Sequence, residues 1–175
     1  MSSPISPVFA DDSAALLAAA VDVAENSLFA LADACDERTF ADTATASADG
    51  GDAWLSAAVD FNGPMSGRVE VTLPEPLARH LAAAFAGLDT PEDIGDGELV
   101  DFSGELANMV CGTWLTRACR HETFSLEPPH VRRGQPDVSS VAETLSLYLS
   151  IDETPVRVAL SSNTPSQRTT QADAQ

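Results

Sequence analysis

From Leu55 to Phe61, and again from Arg68 to Leu73, apolar side chains recur at every second position, a period of two that predicts extended strands. Leu55, Ala57, Val59 and Phe61 fall on one face, with Ser56, Ala58 and Asp60 on the other. Asn62-Gly63-Pro64 reverses the chain, after which Val69, Val71 and Leu73 alternate with Arg68, Glu70 and Thr72. These runs predict a β-hairpin with one apolar face that a second layer has to cover. A similar pair lies further on. Leu145, Leu147, Leu149 and Ile151 alternate with Ser146, Tyr148 and Ser150, and Asp152–Pro155 turns the chain into Val156, Val158 and Leu160.

Helical periodicity fills the intervals. Asp11 or Asp12 is placed to cap a helix running to about Cys35, with Leu16, Leu17, Val21, Val23, Leu28 and Leu31 as its apolar positions. Asp49 to Asp52, with Gly50 and Gly51 between, is a turn separating two strand-like runs. Pro74 ends the hairpin and Pro76 opens a helix whose Leu77, Leu81, Ala84 and Phe85 form a stripe up to Gly87. A further helix spans about Gly97 to Cys119, Thr123–Leu126 is a short strand leading to Pro128-Pro129, and a polar loop covers Arg132 to Ser140. The predicted order is helix, three strands, two helices, three strands. That is an α+β domain: a largely antiparallel six-stranded sheet with three helices on one face. Residues 1–10 read as a flexible N-terminus, 11–162 as the domain and 163–175 as a disordered polar tail.

Charge narrows the partners. Against 27 acidic residues stand nine basic ones, all arginine, for a net charge of −18. Such a surface repels phosphate backbones and anionic lipid, so neither nucleic acid nor membrane is expected as a partner. No window approaches the ~20 apolar residues of a membrane span. Asp11 and Asp12 stand where a signal peptide would carry basic residues. Three cysteines, Cys35, Cys111 and Cys119, form no framework spacing and are expected to be reduced thiols in a cytoplasmic protein.

The stretch Asp101-Phe-Ser-Gly-Glu105-Leu-Ala-Asn108-Met-Val-Cys-Gly112 carries the chemistry. At about 100° per residue, Asp101, Glu105, Asn108 and Gly112 share one stripe of a helix, with Leu99, Leu106 and Val110 on roughly the opposite side. Two carboxylates four residues apart repel by roughly a few tenths of a kcal/mol. Gly104 and Gly112 each cost ~1 kcal/mol against alanine in a helix interior. A helix that only had to pack would not need that polar line.

With 20 residues between Asn108 and a following Pro129, the pattern Asp101-x3-Glu105-x2-Asn108-x3-Gly112 resembles the CheC/CheX/FliY family of chemotaxis phosphatases, and within it the CheX branch. The flanks Phe61-Asn-Gly-Pro-Met-Ser-Gly-Arg-Val-Glu-Val71 and Leu77-Ala-Arg-His-Leu-Ala-Ala-Ala-Phe85 are also similar. CheC and FliY carry a second motif in the first half. Here Glu25 is followed three residues later by Leu28, so a single site, as in CheX, is expected. The resemblance implies hydrolysis of the aspartyl phosphate on a phosphorylated CheY-like response regulator, and a homodimer joined through sheet edges.

By the same resemblance this chain binds no cofactor, and Mg2+ is held by the phosphorylated partner beside a lysine. The catalytic pair is then Glu105, meeting that lysine, and Asn108, orienting the attacking water; Asp101 and Gly112 are partner-binding positions. A non-catalytic regulator-binding or scaffold module of the same fold is the alternative. Cys119-Arg-His121 lacks the second pair of ligands a zinc site requires, so no metal is expected. His80 and His130 show no nucleophile or carboxylate partner in sequence. Trp54, Trp114 and Tyr148 read as core or dimer-seam residues, and Arg132-Arg133 as solvated loop arginines.

Overall fold

The alternating run around Asn62-Gly63-Pro64 forms its hairpin, β2 (Trp54–Asn62) and β3 (Gly67–Pro74), with Val59 opposite Val69 and Asp60 opposite Arg68. The computed structural model describes residues 10–48, 50–136 and 144–162. The expectations for residues 1–9, the tail 163–175 and the end of the polar loop lie outside them. The remaining strands are β1 (Ala32–Ala34), β4 (Ser125–Leu126), β5 (His130–Gly134), β6 (Thr144–Ile151) and β7 (Thr154–Ser162). All pairings are antiparallel, in the order β1-β6-β7-β3-β2-β4, with β5 also paired to β2. The two hairpins therefore meet at the centre, where Val71 faces Val158.

Four helices accompany the sheet: α1 (Ala10–Asp22), α2 (Glu37–Ala48), α3 (Glu75–Ala86) and α4 (Asp96–Ala118). The α+β class and antiparallel sheet are as the sequence predicts, with one more strand and one more helix. α1, α3 and α4 cover one face. There Leu16, Leu81, Leu99 and Trp114 join the inward residues of the strands in the main core. That is the expected trio on one face.

α2 packs on the opposite face, in the segment read as strand-like. Its anchors Phe40 and Ala44 are four apart and meet Trp54 in a separate buried cluster. Phe40 contacts the Trp54 ring edge-on at 5.2 Å between centroids, and the Arg157 guanidinium lies over Phe40 at 5.9 Å. Two threonines of α2 satisfy their hydroxyls within the helix. Thr43 and Thr45 donate to the carbonyls four residues back at 2.9 and 2.8 Å, and Asp36 caps the start by accepting from the Thr39 amide at 2.7 Å.

Two further differences concern the ends of elements. The first helix stops at Asp22 rather than near Cys35: a π-helical turn, Val23–Ser27, follows, and Phe29 takes a φ of 56° as the chain reverses into β1. β5 runs into the start of the stretch read as loop, and its Arg133, exposed as expected, also ion-pairs with Glu75 at 3.0 Å. Among the described residues no helix is long and apolar enough to cross a membrane.

Candidate functional site

α4 is seated from its first turn. The Gly95 amide donates to the Glu98 carboxylate at 2.9 Å. Arg79 of α3 donates to the Ile94 carbonyl and to Asp96, each at 2.7 Å, and to Glu75 at 2.9 Å, while Arg133 of β5 reaches Glu75 at 3.0 Å and Asp96 at 3.2 Å. Paired with two guanidiniums, the Asp96 carboxyl is held below the usual carboxylate range. The buried side, with Leu99, Leu106, Val110 and Trp114 all 3 % exposed or less, fixes the rotation of α4 about its axis.

That rotation turns the stripe outward. Asp101 and Glu105 are exposed, and Asn108 and Gly112 are half-buried. None of Asp101, Glu105 and Asn108 has a side-chain hydrogen bond or ion pair among the described residues. Side chains one turn apart stand about 5–6 Å from each other at Cβ, so Glu105 and Asn108 form an adjacent acid–amide pair. The four sequence candidates therefore lie along one free ridge.

The ridge has a wall beside it. A Cβ added at Gly104 would stand 2.8 Å from Cγ of Pro129, so this glycine lets the loop before β5 press against α4 next to Glu105. Pro129 is thus a packing partner of the helix that carries the site. At Gly112 an added Cβ meets nothing within 4 Å. The missing side chain there is not demanded by this chain's own packing. Two open depressions flank that point, of about 630 and 270 Å³, and Gly112, Thr116 and Arg120 line both. These depressions were not legible in the sequence, because Thr116 and Arg120 lie past the last residue of the motif; continuing its steps of four from Gly112 reaches both.

Ser103 and Cys111 of α4 are withdrawn from the surface. Ser103 is fully buried and donates to the Leu99 carbonyl at 2.7 Å. Cys111 is buried, and burial pushes its thiol up to about 12. Trp54 and Trp114 are core residues at 0 % exposure. Among the described residues no group of three or more His, Cys, Asp or Glu is placed to hold a metal ion, Cys119 and His121 included. What the ridge from Asp101 to Gly112 offers is one amide, two carboxylates and a smooth patch.

A family model described as chemotaxis phosphatase CheX matches residues 55–149, which include all of the hairpin but Trp54, and the whole of α3 and α4. Among solved structures, the chain is similar to chemotaxis protein CheX from Vibrio vulnificus, with TM-score 0.68, 16% identity, and coverage of 89% of this chain and 99% of that one. For chemotaxis protein CheX from Desulfovibrio desulfuricans the corresponding values are 0.65, 18%, 87% and 99%. A CheX–CheY–BeF3–Mg2+ complex from Borrelia burgdorferi matches with TM-score 0.58 and 16% identity, covering 91% of this chain and 99% of that one. At these identities the structural likeness is one of fold. No curated protein matches in sequence.

Proposed function

The chain belongs to the CheX family of chemotaxis phosphatases, and from that premise we propose that it hydrolyses the aspartyl phosphate of a phosphorylated CheY-like response regulator, in chemotaxis or related two-component signalling. One observation carries the reading: Glu105 and Asn108 stand side by side on the outward ridge of α4, with no partner of their own to satisfy. The neighbouring complex that contains CheY supports the class of partner.

The chemistry fits these residue types. An acyl phosphate is already reactive, so catalysis reduces to holding a water in line with phosphorus. The group that holds this water has to sit close to a phosphoryl carrying negative charge. A carboxylate at 4 Å would meet a repulsion of about 4 kcal/mol per unit charge at an effective dielectric of about 20. Asn108 avoids this, since its carboxamide is neutral and both donates and accepts. Glu105, one turn earlier, meets the lysine beside the regulator's phosphoryl group and sets the docking register. Asp101 makes a rim contact with a basic residue, and Gly112 leaves room for the partner's backbone. Mg2+ belongs to the regulator in this scheme, where it neutralises phosphoryl charge; this chain's residues orient water and dock.

The protein acts in the cytoplasm in this reading, in keeping with three free thiols, Cys35, Cys111 and Cys119. It works as a homodimer joined through a sheet edge. β1 is such an edge, and the residues leading into it, Phe29 and Leu31, are 88% and 74% exposed, apolar surface that a second copy would cover.

The test is the decay of phosphate on purified CheY-like regulators from the same genome, with and without this protein. Wild type accelerates decay, and Glu105→Lys abolishes both acceleration and binding. Unchanged decay with every such regulator would refute the phosphatase reading. Phosphorylation-dependent binding without turnover would identify a scaffold module instead.

A further inference from the structure

The ridge does not stop at Gly112. One turn on, the Thr116 hydroxyl donates to the Gly112 carbonyl at 2.8 Å, and Arg120 follows just past the helix end, exposed. Gly112, Thr116 and Arg120 line both depressions, so this line of residues is where the two meet.

Arg120 differs from most cations of the chain. In a molecule with 27 acidic and nine basic residues, an arginine finds a carboxylate easily. Among the described residues Arg38, Arg68, Arg79, Arg117, Arg133 and Arg157 each have one within 4.0 Å. Arg120 has none, although Asp22 lines one depression with it and Glu122 the other. Asp22 is committed elsewhere, to Arg117 at 3.1 Å and to the Asn26 amide at 2.7 Å. Arg132 also lacks a carboxylate, but it pairs across from Ser56, on the α2 side of the sheet. On the face that carries the site, Arg120 is the uncommitted guanidinium among the described residues. The ridge thus runs from two free carboxylates, through the neutral Asn108 and Gly112, to a free cation roughly 22 Å beyond Glu105 and roughly 28 Å beyond Asp101 at about 1.5 Å per residue.

We propose that Arg120 is a docking residue for the same phosphorylated receiver, accepting a carboxylate from an acidic patch on the receiver surface. The opposed charges at the two ends of the ridge then fix which way round the receiver sits, with its phosphoryl group at Asn108. This rests on the functional reading above and goes beyond it by adding a second contact region and a polarity. The physical ground is complementarity: a receiver placed in reverse would bring carboxylate against carboxylate at one end and cation against cation at the other. An arginine at a helix C-terminus also relieves the helix dipole, a purely internal role that would leave binding untouched.

The experiment measures receiver binding and turnover in the same samples, using the CheY-like receiver of the same genome phosphorylated by a small-molecule phosphodonor. Wild type is compared with Arg120→Glu, Arg120→Gln and Asn108→Ala, each checked for helicity and melting temperature. Arg120→Glu is expected to raise Kd and KM about tenfold, Arg120→Gln less, both without lowering kcat and with a shallower dependence of Kd on salt. Asn108→Ala is expected to lower kcat and leave Kd in place. Unchanged Kd and salt dependence in folded Arg120 variants overturns the docking role, whatever happens to the melting temperature. If Arg120→Glu does not fold, Arg120→Gln decides by the same criterion. Retained turnover in Asn108→Ala overturns the catalytic reading and leaves the Arg120 result to be judged on Kd alone.

Discussion

Two glycines of α4, eight residues apart, have opposite reasons for being there. At Gly104 a methyl group would press on the rigid ring of Pro129 at 2.8 Å, whereas at Gly112 it would enter open space. Gly104→Ala is therefore expected to destabilise by about 1–3 kcal/mol despite the better helix propensity of alanine. Gly112→Ala is expected to stabilise by about 1 kcal/mol and to weaken receiver binding. Urea unfolding of the two variants checks the stability signs, and equal shifts in the same direction would refute the distinction. The sequence alone made this ridge legible, because steps of four, three and four repeat a helical turn. It could not separate the two glycines, since the proline that explains Gly104 lies 25 positions further along the chain. Nor could it show that Arg133 is engaged with Glu75 and Asp96, a consequence of β5 running past the start of α4.

At the scale of elements, legibility followed the number of side chains that commit to one face. β2, β3, β6 and β7 each place three or more residues in the main core, and their alternation was plain. α2 anchors through Phe40 and Ala44 alone, β1 spans three residues, and β5 directs mainly polar side chains outward, so none announced itself. α4 depends on its neighbours for position. Arg79 ties the start of α3 to the Ile94 carbonyl and Asp96, so Arg79→Met is expected to cost about 1–2 kcal/mol and lower turnover by displacing the ridge. Thermal unfolding with a phosphatase assay checks this, and full activity at reduced stability would detach the clamp from function. The hairpin has its own tie, Asp60 to Arg68 through two bonds of 2.8 and 2.7 Å. The Arg68 hydrogen bond lowers the Asp60 pKa below 3.8. A carboxylate depressed by folding stabilises above its unfolded pKa and loses that contribution as pH falls through the folded value. Asp60→Asn is expected to be less stable than wild type at neutral pH and equal to it well below pH 3.8, by denaturant titration at both.

For the whole molecule, two hairpins joined at β3 and β7 make a sheet with free outer strands, and three helices on one face leave α4 presenting its polar stripe to the exterior. The apolar residues beside the β1 edge give the proposed dimer its test: Phe29→Asp with Leu31→Asp is expected to shift the mass in sedimentation from dimer to monomer, and an unchanged mass would overturn the proposed β1 interface. Everything functional converges on whether this sheet holds an amide where a partner's water has to be. The most direct measurement is the decay rate of the receiver's acyl phosphate with saturating wild type and with saturating Asn108→Ala. The account predicts rapid loss with wild type and decay no faster than the receiver's own with Asn108→Ala, although the variant still binds. Equal acceleration by both proteins would contradict it.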